Sequence, residues 1–369
     1  MKLWELDTPS LIIDEAIMLD NIKFVQDFAD KHHVNLRPHT KTHKMSELAL
    51  LQEKYGAKGV AVAKVGEAEV MAASGLKDIF IANEIVGETK WERIRAIMKK
   101  GVKLTFGLDS IDQAEQVEAS FAKAGMTAQV LVEIEVGEIR SGVNELEEFA
   151  GLLDYLEKCT HIQLEGLFSH DGNSYGAKDI AAVREIAVNA QRRTLDFAQL
   201  AREKGFPCHI ISYGATPTIM NDVEILPGIT ELRLGTYIFM DASQAEAIGT
   251  QKRCAATVLA TVMSRPTKDR VILDVGAKGL TMQSRTEGIC AVEGRGSMLD
   301  YPGVHINNMF DEHAIVYSES FREAVKLGDK VRIIPVHICP VVNLYHEAYL
   351  VKGEDVVKTL KIDCQGKLR

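Results

Sequence analysis

From about residue 15 to 240, short β-branched and apolar runs alternate with longer charged stretches whose apolar positions recur every three to four residues. The pattern predicts helices over 17–31, 46–55, 65–73, 90–98, 111–124, 145–157 and 179–204. Between them it predicts strands at 35–37, 59–63, 78–82, 103–106, 128–136, 163–169, 208–213 and 231–234. Eight strands with intervening helices in about 225 residues favour a closed (β/α)8 barrel of TIM type over an open doubly wound sheet. No GxGxxG follows the first strand, which counts against a dinucleotide fold.

Beyond about residue 250 the texture changes. Strand-like segments at 255–262, 270–273, 314–317, 330–334 and 348–351 are separated by turns with almost no helical period, so an all-β domain is expected there. The segment Ser10 to Ile13 precedes the βα beat and is expected to join it. The domain expectation is therefore a barrel over 15–245, with 1–14 and 246–369 forming the β domain.

Composition narrows the function. Lys plus Arg number 43 against 52 Asp plus Glu, a net charge of -9, which argues against binding phosphate backbones or anionic lipid. The six cysteines are scattered without CxxC spacing, so neither a disulfide scaffold nor a four-thiolate zinc site is expected, and a reducing cytoplasm fits. Apolar residues nowhere run for the roughly 18 positions a bilayer span needs, and the first residues lack a signal peptide's continuous apolar stretch.

Four segments carry chemistry. Arg37-Pro38-His39-Thr40-Lys41-Thr42-His43-Lys44 follows the first barrel strand, at the end where barrel enzymes place catalytic groups. Read functionally rather than as a solvated basic loop, it offers a lysine crowded by positive charge, with a lowered pKa, able to form an imine with a carbonyl cofactor. Pattern alone leaves Lys41, Lys44 and Lys64 open. Tyr213-Gly214-Ala215-Thr216-Pro217-Thr218 also follows a strand, and it can present N–H and O–H donors to a phosphate or be an ordinary Gly/Pro loop. Ser169-His170-Asp171-Gly172-Asn173-Ser174-Tyr175 reads as a ligand-facing rim loop. His337-Ile338-Cys339, on a period-two strand or rim segment, sends imidazole and thiol to one side. The pair suits Zn²⁺ with open positions, or is a buried Cys beside a satisfied His.

With these segments in view, the chain resembles the pyridoxal-phosphate family that contains D-threonine aldolase, eukaryotic-type D-serine dehydratase and D-threo-3-hydroxyaspartate dehydratase. The resemblance runs almost end to end and is carried by RPHTKTHK at 37–44, HDGNSYG at 170–176, YGATPT at 213–218, ELRLGTYIFMD at 231–241 and HICPVVNL at 337–344. It implies the alanine-racemase-type fold, pyridoxal 5'-phosphate (PLP), a divalent metal and a homodimer. By the same resemblance Lys41 matches the lysine that carries the cofactor. Tyr213, Gly214, Ala215 and Thr216 match the phosphate-holding loop, with Ala215 where many relatives have serine. Arg140 matches an arginine near the cofactor ring, although Ser141 follows it where the pattern has cysteine, and His170 and Tyr175 lie in the loop expected near the cofactor. His337 and Cys339 match the metal ligands, with Zn²⁺ favoured and Mn²⁺ or Mg²⁺ as alternatives. His313 matches a family feature whose role the residues do not reveal.

The activity implied is a lyase acting on 3-hydroxy D-amino acids. A cysteine at the second ligand position leans toward a dehydratase, which releases a 2-oxo acid and ammonia. Retro-aldol cleavage to glycine and an aldehyde is the alternative. An amino-acid racemase or a non-catalytic PLP-binding protein stands further off, the first disfavoured by the His-x-Cys pair and the second by the full β domain.

Overall fold

The computed structural model describes all residues from Met1 to Arg369. Eight parallel strands form one sheet in the order Asn35–Leu36, Glu231–Leu232, Ile210–Tyr213, Ile162–Phe168, Ala128–Glu133, Lys103–Leu108, Asp78–Glu84, Val60–Val62. The two ends of this ladder are joined as well: Lys58 N–H donates to Leu36 O and Ala61 N–H to Pro38 O, each at 2.8 Å. The expected TIM-like barrel is thus present, and the helices between its strands lie within a few residues of the predicted spans.

Fully buried Val60, Ile79, Leu104, Val130 and Leu167 belong to one continuous core of 87 residues, as strands covered on both faces require. The interior also carries polar ties. Arg37, 4% exposed, donates through Nε to Glu231 at 2.8 Å and through Nη1 to Asp78 at 2.7 Å, linking three barrel strands or their ends. Gly166 shows how tightly the strands approach, since a Cβ there would sit 1.8 Å from the carbonyl oxygen of Ile210 on the next strand.

The second sheet has nine strands and begins with Ser10–Asp14, which pairs antiparallel with Ala256–Ser264 and parallel with Glu347–Lys352. The chain therefore starts in this sheet, makes the barrel, and returns to it. The sheet also contains Gly296–Met298, Asn308–Met309 and Asp355–Lys361, which the pattern did not single out. Nor is this half purely β. Short helices cover Ala277–Leu280, Glu319–Ala324 and Ile338–Val342, each too short to show a helical period in sequence.

Candidate functional site

The sequences after the barrel strands run into loops whose side chains converge on one cavity. Lys41, Arg140, His170, Tyr175, Ala215, Thr216, His337 and Cys339 all line it, joined by His39, Glu138, Arg233, Gly235, Thr236 and Arg285. The barrel contributes Lys41, Glu138, Arg140 and Arg233, and the β-rich half contributes Arg285, His337 and Cys339.

The structure separates the three candidate lysines. Lys44 is buried and its Nζ lies 2.5 Å from the Glu67 carboxylate, and Lys64 caps the helix Val65–Ala73 outside the cavity. Lys41 alone stands in the cavity. Its positive surroundings are not those of its own segment, as expected from sequence, because Arg37 and Lys44 are consumed by ion pairs. Solvent reaches it through the cavity, yet enclosure by protein lowers its pKa, helped by Arg140 and Arg233 and opposed by Cys339. Burial likewise holds His39 and His170 well below the ordinary imidazole pKa, with Lys41 and Arg233 adding to the effect, so both are neutral. His39 Nδ1 accepts from the Lys41 backbone N–H at 3.4 Å, and His170 Nδ1 donates to Gly214 O at 3.2 Å.

Arg233 forms part of the cavity wall and is held in place from behind. Its guanidinium donates to Ser212 Oγ at 2.8 Å and Ser169 O at 3.0 Å, and stacks on Phe168 at 5.1 Å. Burial brings its pKa down to about 10. Arg140 sits at the rim between Glu138 at 3.3 Å and Glu133 at 3.5 Å.

Two of the residues expected at the phosphate loop do not face the cavity. Tyr213 is fully buried, and its hydroxyl donates to Asp171 at 2.8 Å behind the wall. Gly214 contributes its carbonyl to His170 and a positive φ of 128° rather than a lining surface. Thr218 is also spent, its hydroxyl donating to Ala215 O at 2.8 Å. What remains is a different donor set. The backbone N–H groups of Ala215, Thr216, Gly235 and Thr236, on two adjacent strand ends, donate to no group of the chain. Gly235 is required for the approach, since a Cβ there would meet Thr42 Oγ1 at 2.7 Å. Unpaired donors clustered beside a buried amine suit a phosphate-bearing carbonyl cofactor, so the residues fit PLP.

His337 and Cys339 do not lie on a strand. The strand Lys330–Pro335 ends before them, His337 caps the helix Ile338–Val342, and Cys339 lies in its first turn, where Pro340 fits because it needs no intrahelical donor. Both side chains still reach the cavity because Asp241 anchors the turn. Its fully buried carboxylate accepts from His337 Nδ1 and from Ile338 N–H, each at 3.0 Å, while the other oxygen caps the helix Ala242–Ile248 through Gln244 N–H at 2.9 Å. With Nδ1 committed to Asp241, the neutral ring, reached when a metal ion displaces the Nε2 proton, would offer its lone pair on Nε2. Cys339 Sγ is approached by Thr42 Oγ1 at 3.1 Å and Thr236 Oγ1 at 3.6 Å. Burial would raise its pKa, but His337 and these hydroxyls bring it down to about 7. Against its own burial, His337 is held up at about 10 by Cys339 and Asp241.

An imidazole oriented by a carboxylate and a thiol stabilised as thiolate form a donor pair suited to a soft or borderline divalent ion. No third His, Cys, Asp or Glu closes the set, so positions for water or substrate stay open. Arg233 and Asp241 were missed as site residues although both lie in the ELRLGTYIFMD segment. His313 is exposed in a separate surface depression with Met309 and Phe310.

Comparison with known proteins shows the family of the chain. The alanine racemase N-terminal domain family matches residues 13–243, and a putative serine dehydratase domain matches residues 255–351. The chain belongs to this family and is an enzyme of the pyridoxal-phosphate lyase type. It is 34% identical to the D-threonine aldolase of Arthrobacter sp, over 98% of this chain and 93% of that protein. It is 30% identical to the D-threo-3-hydroxyaspartate dehydratase of Delftia sp. strain HT23, over 90% of this chain and 91% of that protein. A solved cysteine-to-alanine mutant of D-threo-3-hydroxyaspartate dehydratase, in the metal-free form, superposes with a TM-score of 0.91 at 27% identity, covering 98% of both chains. No helix is long and apolar enough to cross a membrane.

Proposed function

We propose that the chain is a PLP- and divalent-metal-dependent dehydratase of 3-hydroxy D-amino acids, releasing a 2-oxo acid and ammonia. The observation that carries the choice is the donor set. The thiol of Cys339 completes the pair with His337, and Lys41 with its lowered pKa is available as the base at Cα. No carboxylate is free at the pair, which leaves only His39 or His170 as the base a retro-aldol cleavage would use. Asp241 is fully committed to His337 and two backbone N–H groups, and Glu138, the only carboxylate lining the cavity, pairs with Arg140. Cleaving Cα–Cβ needs a base at the β-hydroxyl, whereas eliminating the hydroxyl needs only a base at Cα and a Lewis acid at oxygen.

When bound, the cofactor supplies an electron sink at the α carbon and the metal a Lewis acid at the β-hydroxyl. Lys41 Nζ would hold the cofactor and serve as the base for the α proton, a role its lowered pKa suits. Ala215, Thr216, Gly235 and Thr236 hold the phosphate through backbone N–H groups. His39, His170 and Tyr175 wall the cofactor without adding charge, and Arg140 closes the rim. His337 Nε2 and Cys339 Sγ hold the metal, with Zn²⁺ favoured, and Thr42 and Thr236 keep the sulfur anionic. In this reading residues 15–245 carry the cofactor, residues 1–14 with 246–369 carry the metal pair, and two copies pair as a homodimer of about twice 40.8 kDa.

The test is ammonia release from cofactor-loaded protein. Ammonia equal to the D-amino acid consumed, lost on chelation and restored by Zn²⁺, supports the reading; consumption without ammonia overturns it. The second reading, retro-aldol cleavage, is favoured by the 34% identity to a D-threonine aldolase.

A further inference from the structure

The metal pair of the β-rich half is held from the cofactor side of the cavity. Beyond the pair itself, His337 and Cys339 make three side-chain hydrogen bonds. His337 Nδ1 donates to Asp241 at 3.0 Å, and Cys339 Sγ lies 3.1 Å from Thr42 Oγ1 and 3.6 Å from Thr236 Oγ1. All three partners belong to two short segments, 39–44 and 235–241, and the same segments carry cofactor residues. Thr42 directly follows Lys41. Gly235 and Thr236 offer two of the free backbone N–H groups assigned above to the phosphate, and a turn closed by Met240 N–H on Thr236 O at 2.7 Å leads from them to Asp241.

These contacts have no substitutes. Thr42 Oγ1 and Thr236 Oγ1 make no other hydrogen bond, and Thr42, Thr236 and Asp241 are all buried. A buried hydroxyl whose sole partner is the sulfur is left unsatisfied if the sulfur moves, which is costly. The two segments also touch, since a Cβ on Gly235 would sit 2.7 Å from Thr42 Oγ1. The tail of the chain fastens the same regions a second time. Cys364 N–H donates to Lys44 O at 3.0 Å, and Gly366 N–H to Asn343 Oδ1 at 3.1 Å, at the ends of the Lys41 segment and of the helix that begins beside Cys339.

A change at either end therefore reaches the other through direct bonds. With the sulfur and imidazole fixed by a divalent ion, Thr42, Thr236 and Asp241 have fixed partners, and the N–H groups of 235–236 are settled before a phosphate arrives. With the phosphate and Lys41 engaged first, the same hydroxyls are already set toward the sulfur. The ordering is done once, by whichever ligand binds first.

We propose that the metal pair and the cofactor site bind their ligands cooperatively, each raising the other's affinity, and that Thr42 is the link between them. This rests on the reading of the cavity as a PLP and divalent-metal site and is independent of which bond the enzyme breaks. Thr42 is a positioning residue, acting through Cys339 Sγ and the Lys41 segment.

The experiment titrates chelator-buffered Zn²⁺ into apoprotein and into gel-filtered, PLP-loaded protein. A second arm titrates PLP into apoprotein, with and without saturating Zn²⁺, and follows the cofactor band. Zn²⁺ affinity is expected to be about 5- to 50-fold higher in the loaded form, and PLP affinity to rise by the same factor with Zn²⁺, as reciprocity requires. Thr42→Val keeps the shape without the hydroxyl and lowers that factor by about three- to ten-fold, the worth of one hydrogen bond. Thr42→Ser keeps the hydroxyl and retains the factor, and in Cys339→Ala PLP binding becomes indifferent to Zn²⁺. Equal Zn²⁺ affinity in the two forms overturns the cooperativity while the metal reading stands. No Zn²⁺ binding in either form removes the metal reading and the proposal with it. A Thr42→Val protein that loses Zn²⁺ affinity equally in both forms overturns the role of Thr42, whose hydroxyl then supports the sulfur and nothing more.

Discussion

His337 Nδ1 and Asp241 Oδ2 lie 3.0 Å apart, joining the turn after a strand of the β-rich half to the loop that leaves the barrel. The contact sets the imidazole tautomer and holds its ring at the cavity wall. Asp241→Asn keeps the shape but removes the charge, and a metal titration in buffered Zn²⁺ is expected to show affinity lowered by about 10- to 100-fold, with cofactor loading unchanged. Unaltered affinity would mean that His337 is positioned by something else.

Lys41 and Lys44 lie in one segment but have opposite work. After borohydride reduction, Lys41→Ala is expected to retain no covalently attached cofactor, whereas Lys44→Ala retains it. Lys44→Ala instead leaves the buried Glu67 carboxylate without its cation, held only by the backbone N–H groups of Ala63 and Lys64, which costs about 3 kcal/mol in urea denaturation. A stable Lys44→Ala protein that has lost the covalent link would reverse the assignment.

Much of this was legible in advance. The alternating pattern predicted the eight barrel strands because parallel strands buried on both faces read as continuous apolar runs. It could not tell Lys41 from Lys44, since the difference lies in Glu67, which follows the next strand. Tyr213 was misplaced because a side chain at the strand end can point behind the wall as easily as into the cavity, and Asp171 draws it back. The turn at His337 and Cys339 was read as extended because a helix of five residues leaves no period. Arg285 left no signal at all, coming from an irregular loop that only folding brings to Tyr175.

Asp171 gives a pH dependence. Burial pushes its pKa from 3.8 up to about 6, so the folded state holds the proton more tightly than the unfolded chain. The associated stability is fully present below about pH 4 and is lost as pH rises through about 6. Relative to Asp171→Asn, which mimics the protonated form, the wild-type apoprotein is expected to lose up to about 3 kcal/mol between pH 4 and 8. Urea denaturation of both proteins across that range checks it, and parallel curves would place Asp171 in a better solvated site.

Ala215 lines the cavity where a hydroxyl could join the free N–H donors around it. Ala215→Ser is expected to tighten PLP binding to the apoprotein by a few-fold, up to about ten, the net worth of one ordinary hydrogen bond. Weaker binding would indicate that the methyl group packs against the phosphate.

The central claim is the bond that breaks, and one measurement reads it most directly. Cofactor-loaded protein with Zn²⁺ is incubated with 3-hydroxy-D-aspartate, and the carbon products are resolved by mass. Oxaloacetate, carrying all four substrate carbons, is the result expected of a dehydratase. Glycine with glyoxylate would contradict the account and show that a base for the β-hydroxyl exists beside Cys339.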